Sequence, residues 1–120
     1  MVVDTSVLLA ILFNESSALS CAEILESAPV LKMSTVNLAE CLIITKHRQP
    51  NLDLESRILQ CGIQFIPPTA THAQLAARAR AEFPLNLGDC FAYALAKAER
   101  LKLVTLDSDF EATDLQVVVP

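Results

Sequence analysis

Glycine is nearly missing from this chain of 120 residues. Only Gly62 and Gly88 are present, which excludes a Walker-type phosphate loop or a dinucleotide fingerprint, since both need several glycines close together. Four cysteines (Cys21, Cys41, Cys61 and Cys90) are too widely separated for zinc-type Cys-x-x-Cys spacing. They read as buried free thiols of a protein kept in the reducing cytoplasm. His47 and His72 do not stand at ligand spacing and read as surface or helix-end residues. No apolar run reaches the roughly 20 residues of a membrane span. The apolar start MVVDTSVLLAIL lacks the basic region of a signal peptide and carries Asp4, so no membrane association is expected. No repeat, low-complexity stretch or linker interrupts the chain, and its length suits one domain, residues 1–120.

What the chain has in excess is apolar residues, 52% of the total, against a usual ~45–50%. A sizeable core is expected, with some apolar surface left for a partner. The net charge of −5 by itself argues against a general nucleic-acid binder, which shows a basic face. The bases form no single patch. Lys46-His47-Arg48, Arg78/Arg80 and Lys97/Arg100/Lys102 are candidates for phosphate contacts, although each also reads as a solvated helix face or end.

Strand-like and helix-like runs alternate. Strands are expected at Val2–Asp4, Val30–Met33, Ile63–Ile66, Leu103–Leu106 and Val117–Val119. Helices are expected at Ser6–Asn14, Ser17–Ser27, from an N-cap at Ser34 through His47, Asp53–Cys61 with Gly62 closing it, Thr71–Phe83, and from Asn86-Leu87-Gly88-Asp89 onward. This alternation predicts an α/β fold with a parallel sheet covered on both faces.

Open sheets of this kind bind ligands beyond the carboxyl ends of their strands, and acids stand there. Asp4 follows Val2-Val3. Asp107 follows Leu103–Leu106, with Asp109 two residues further on. Asp89 opens a helix, and Glu40 lies in the second turn of the helix after Val30–Met33. Most have a plain structural reading: Asp4 as an N-cap, Asp89 as an acid favoured by the helix dipole, Asp107 and Asp109 as turn residues. Glu40 is harder to place. It is the only charged residue between Thr35 and Thr45, on a segment apolar on nearly every face. Such a helix is expected to be buried, and an unpaired buried carboxylate costs several kcal/mol. No lysine or arginine lies within one turn, so either a distant base or an external cation must meet it.

Carboxylates converging from separate segments, with no histidine or cysteine among them, select hard cations such as Mg²⁺ or Mn²⁺. Such sites serve phosphoryl transfer. Thr5, Ser6 and Thr105 are placed to hydrogen-bond the carboxylates. Without these five acids the remainder is near neutral, so acidity does not exclude an RNA substrate. Gly88 is expected to allow a tight turn that aims Asp89. Tyr93 is expected to line the site, an interface or the core. An aspartyl-phosphate reading of Asp4 lacks the second acid two residues later, where Ser6 stands.

The segments VVDTSVLLAIL, STVNLAEC, LNLGDCFAYALAK and LVTLDSDF, in this order and spacing, resemble the PIN-domain family, and most closely its VapC-type toxins from bacterial toxin–antitoxin systems. The resemblance spans essentially the whole chain. It implies a three-layer α/β/α sandwich with a short, mostly parallel sheet, and a Mg²⁺- or Mn²⁺-dependent ribonuclease. Asp4, Glu40 and Asp89 match the family's first three acids, and either Asp107 or Asp109 fills the fourth place. Ser6 and Asn37 match positions often polar in the family. A homodimer and a cognate antitoxin, whose C-terminal segment covers the active-site groove, are also implied. The alternative is a PIN-like module that binds RNA or an antitoxin without catalysis.

Overall fold

Val2–Val3 (β1) is a strand of two β-branched residues, and it sits at the centre of the sheet. The computed structural model describes residues 1–120. After β1 come α1 (Thr5–Leu12), α2 (Ala18–Ser27), β2 (Lys32–Ser34), α3 (Thr35–Arg48), α4 (Leu54–Leu59), β3 (Gln64–Ile66), α5 (Ala70–Glu82), α6 (Leu87–Glu99) and β4 (Leu103–Val104). A short 3-10 helix (Ser108–Ala112) and β5 (Val117–Val118) complete the chain. The five strands are all parallel, in the order β3-β2-β1-β4-β5.

That order places the site. The chain builds outward from β1 through β2 to β3, then returns to the other side of β1 for β4 and β5. The direction of winding reverses between β1 and β4, and the crevice beyond the carboxyl ends of such a strand pair is where open sheets bind ligands. Register matches Val2 to Leu103 and Val3 to Val104, so the residues that follow, Asp4 and Thr105, emerge side by side.

Side chains alternate across the sheet with period two, and this separates two cores. Val2 and Leu103 pack with Ala76, Ala79, Leu85, Leu95 and Phe110 under α5 and α6. Val3 and Val104 pack with Val7, Leu8, Met33, Cys41 and Ile58 on the opposite face. The three-layer α/β/α sandwich expected from the sequence is the observed architecture, with a sheet that is parallel throughout.

Three local expectations need correction. α3 is not buried on every face. Only Asn37, Cys41 and Thr45 are buried, a stripe of short side chains spaced four apart, while Ile43 is 68% exposed. The small stripe faces inward, and the larger apolar residues are left partly or wholly uncovered. Cys61 is exposed, although all four cysteines are free. His72 is a helix-end residue as expected, but a buried one: its Nδ1 accepts the Thr69 N–H, and Thr69 Oγ1 accepts the His72 N–H, which caps the start of α5. Among the glycines only Gly62 takes a positive φ, 84°, in the turn between α4 and β3. No helix is long and apolar enough to cross a membrane.

Candidate active site

Asp4 occupies the N-cap position of α1, yet its side chain makes no capping hydrogen bond. Its Oδ2 instead accepts from Ser6 Oγ and from Thr105 Oγ1, each at 2.8 Å. The pairing of β1 with β4 makes this possible, since the Asp4 N–H donates to the Val104 carbonyl. The two hydroxyls also accept backbone donors from the loop after β4: Ser6 Oγ from the Leu106 N–H at 3.0 Å, and Thr105 Oγ1 from the Asp107 N–H at 2.9 Å. Thr105 therefore links Asp4 to Asp107. Asp4 is only 3% exposed, and burial raises its pKa. The two hydroxyls oppose that rise and the charge of Glu40 adds to it.

Glu40 reaches the same edge from α3. Its Oε1 accepts from Thr5 Oγ1 at 2.9 Å and from Asn37 Nδ2 at 2.8 Å. Asn37 Nδ2 also donates to the Gly88 carbonyl at 3.0 Å, and its Oδ1 is buried with no partner. The four ion pairs of the molecule, Lys32–Glu99, Lys46–Glu55, Arg48–Glu15 and Lys97–Asp114, leave Glu40 out. The distant-base explanation for this carboxylate is therefore wrong.

Asp89 is the third residue of α6. Its Oδ2 accepts the Asn86 N–H, while Asn86 Oδ1 accepts the Asp89 N–H at 2.8 Å, a reciprocal cap. The plain helix-start reading is thus correct locally, and the Asn-x-x-Asp spacing was its signal. Burial nonetheless pushes the Asp89 carboxyl up to about 6 against the Asn86 hydrogen bond, with the charges of Asp4, Asp107 and Glu40 adding to the rise. Four carboxylates therefore share one electrostatic neighbourhood. Asp107 caps the 3-10 helix by accepting the Asp109 N–H. Asp109 itself is exposed and exerts no resolved pull on Asp89. Asp4, Glu40 and Asp107 are thus the acids whose charges act on Asp89 at this edge, while Asp109 lies exposed on the 3-10 helix.

Other residues singled out in the sequence fall elsewhere. Tyr93 donates to Asp114 Oδ1 at 2.7 Å and lies against Phe83, so it belongs to the core beneath α6. Lys46, Arg48 and Lys97 are engaged in ion pairs. Arg80, missed as a structural residue, donates to the Leu85 carbonyl just ahead of α6. Arg78, Arg100 and Lys102 form no ion pair.

The donor set suits a hard divalent cation. All donors are oxygen, the four carboxylates lack a basic partner, and their mutual repulsion is uncompensated. No three of the acidic, histidine or cysteine side chains stand close enough to hold one metal ion between them. That is compatible with Mg²⁺, which keeps several waters and takes one or two carboxylates together with substrate phosphates.

Residues 1–115 match the PIN domain family. The chain belongs to that family. This PIN domain is 35% identical to ribonuclease VapC28 of Mycobacterium tuberculosis, with 97% of this chain and 96% of that protein aligned. Its fold is similar to that of M. tuberculosis VapC20, described as a sarcin-ricin loop cleaving toxin, with a TM-score of 0.83 at 20% identity over 99% and 98% of the two chains. It is also similar to a toxin–antitoxin complex from Klebsiella pneumoniae, with a TM-score of 0.79 at 24% identity over 98% of this chain and 94% of that one.

Proposed function

We propose that this PIN domain is a Mg²⁺- or Mn²⁺-dependent endoribonuclease, the toxin of a type II toxin–antitoxin pair that acts in the cytoplasm and is held in check by an antitoxin protein. Its likeness over nearly full length to proteins named as ribonucleases supports the RNA substrate. The toxin–antitoxin complexes of the same fold support the antitoxin. A second copy of the chain is part of the proposal, with the uncovered Ile43 on α3 offering apolar surface for it.

One observation carries the reading: four carboxylates without a basic partner meet where the sheet reverses its winding. In the proposed mechanism Asp4 and Asp89 would hold the divalent ion, with Asp107 completing the charge. The ion, when bound, supplies positive charge to the scissile phosphate and acidifies a water. Ser6 and Thr105 fix the Asp4 carboxylate by donating to Oδ2, so it needs no rearrangement to act. Glu40 has both protein donors on Oε1, which leaves Oε2 to accept a proton from the attacking water and orient it. The test is cleavage of RNA with Mg²⁺ or Mn²⁺ and with EDTA, by the wild type and by Asp4→Asn. Metal-dependent cleavage lost in the variant is expected. Equal cleavage by the two proteins removes the proposal.

A further inference from the structure

Gly88 has no conformational reason to be glycine. It is the second residue of α6 and its φ is not positive, so the tight turn expected from the sequence is not its purpose. Inside a helix glycine is less favourable than alanine, and something must outweigh that. A Cβ built on Gly88 would stand 2.5 Å from both Cδ and Oε1 of Glu40, and nearer still to Oε2. The Glu40 carboxylate fills the space of the missing side chain. Asn37 closes the arrangement from the other side, donating to Glu40 Oε1 and to the Gly88 carbonyl.

We propose that Gly88 is a positioning residue: its bare Cα is the seat on which α6 receives the Glu40 carboxylate from α3, and any side chain there evicts it. The colliding atoms are the tip of a flexible side chain, so the backbone can stay in place when alanine is introduced. What is lost is the pair of hydrogen bonds from Thr5 and Asn37 to Oε1 and the seat of Oε2 against Gly88. This inference rests on the reading of Glu40 as a site acid.

Four proteins test it: wild type, Gly88→Ala, Glu40→Ala and the double variant, each melted in EDTA and each assayed on RNA with Mn²⁺. In the Glu40→Ala background, Gly88→Ala is expected to raise the melting temperature by about 3 °C, the ordinary gain of alanine over glycine in a helix. In the wild-type background that gain is expected to vanish. Cleavage is expected to fall about tenfold or more with Gly88→Ala alone and to change no further when it is added to Glu40→Ala. Equal melting shifts in the two backgrounds, or cleavage by Gly88→Ala close to wild type, would overturn the proposal. If wild type and Asp4→Asn alike fail to cleave RNA, the ribonuclease reading falls, while the metal-free melting cycle still decides whether Gly88 seats Glu40.

Discussion

Helices α3 and α6 each deliver one carboxylate to the same edge, and they hold it by opposite means. α6 is sunk into the core over most of its length, from Gly88 to Ala96. Its carboxylate, Asp89, is fixed by its own helix start, through the reciprocal bonds with Asn86. α3 buries only Asn37, Cys41 and Thr45 fully, with Leu38 and Leu42 packed partly buried against the core. Its carboxylate, Glu40, is fixed by side chains on other elements, Thr5 from α1 and the bare surface of Gly88 from α6, with Asn37 bridging. A carboxylate held by local backbone geometry keeps its place as long as the helix forms. One held by several long-range contacts can lose its place while the fold stays intact.

That contrast is open to direct attack. The largest effect is expected from Asp89→Asn. The new side chain can still accept the Asn86 N–H, so the fold should persist while RNA cleavage drops on the order of 100-fold or more. The same variant checks the electrostatics. The folded-state pKa of Asp89 is raised from 3.8 to about 6, so the folded chain binds this proton more tightly than the unfolded chain does. The stability linked to this proton is full below the unfolded value of 3.8, and is lost as pH rises through about 6. Without metal, the melting temperature of the wild type relative to Asp89→Asn should fall across that window, and added Mn²⁺ should restore it at neutral pH by binding the native state.

A smaller effect is expected from Thr5→Val, which keeps the shape of the side chain and removes a donor to Glu40. Cleavage should fall about tenfold, at a stability cost of about 1 kcal/mol. Asn86→Ala should cost a similar stability but spare cleavage. Loss of the cap costs about 1 kcal/mol of stability, a melting shift of roughly 3–6 °C, while the buried body of α6 keeps Asp89 near its place and cleavage changes least. Should Asn86→Ala impair cleavage more than Thr5→Val, the contrast between the two helices is mistaken.

Much of this arrangement is legible in the sequence alone. Asp4 and Asp107 stand directly after apolar strands, and a parallel sheet can put such residues in only one place. Asp89 is visible from the cap pattern around it. Glu40 stood out because no nearby base could pair with it. What was not legible depends on contacts between distant segments. Whether Asp107 or Asp109 turns inward is set by the hydrogen bond from the Asp107 backbone to Thr105, which needs β4 to lie beside β1. The segment of α3 carries apolar residues on nearly every face, so its pattern could not say which side is inward. The polar stripe Asn37, Cys41, Thr45 faces inward because short side chains let the helix lie close. The purpose of Gly88 lies in a residue 48 positions earlier in the chain, and a local turn argument could not reach it.

The proposal that four carboxylates form one cation site is tested most directly by calorimetric titration of Mn²⁺ into the metal-free protein near pH 7.5, alongside single substitutions. Binding should be seen in the wild type and weaken about tenfold or more in Asp4→Asn, Glu40→Gln, Asp89→Asn and Asp107→Asn, while Asp109→Asn binds as the wild type does. Absence of Mn²⁺ binding in the wild type, or an Asp109→Asn variant as impaired as Asp107→Asn, would contradict it.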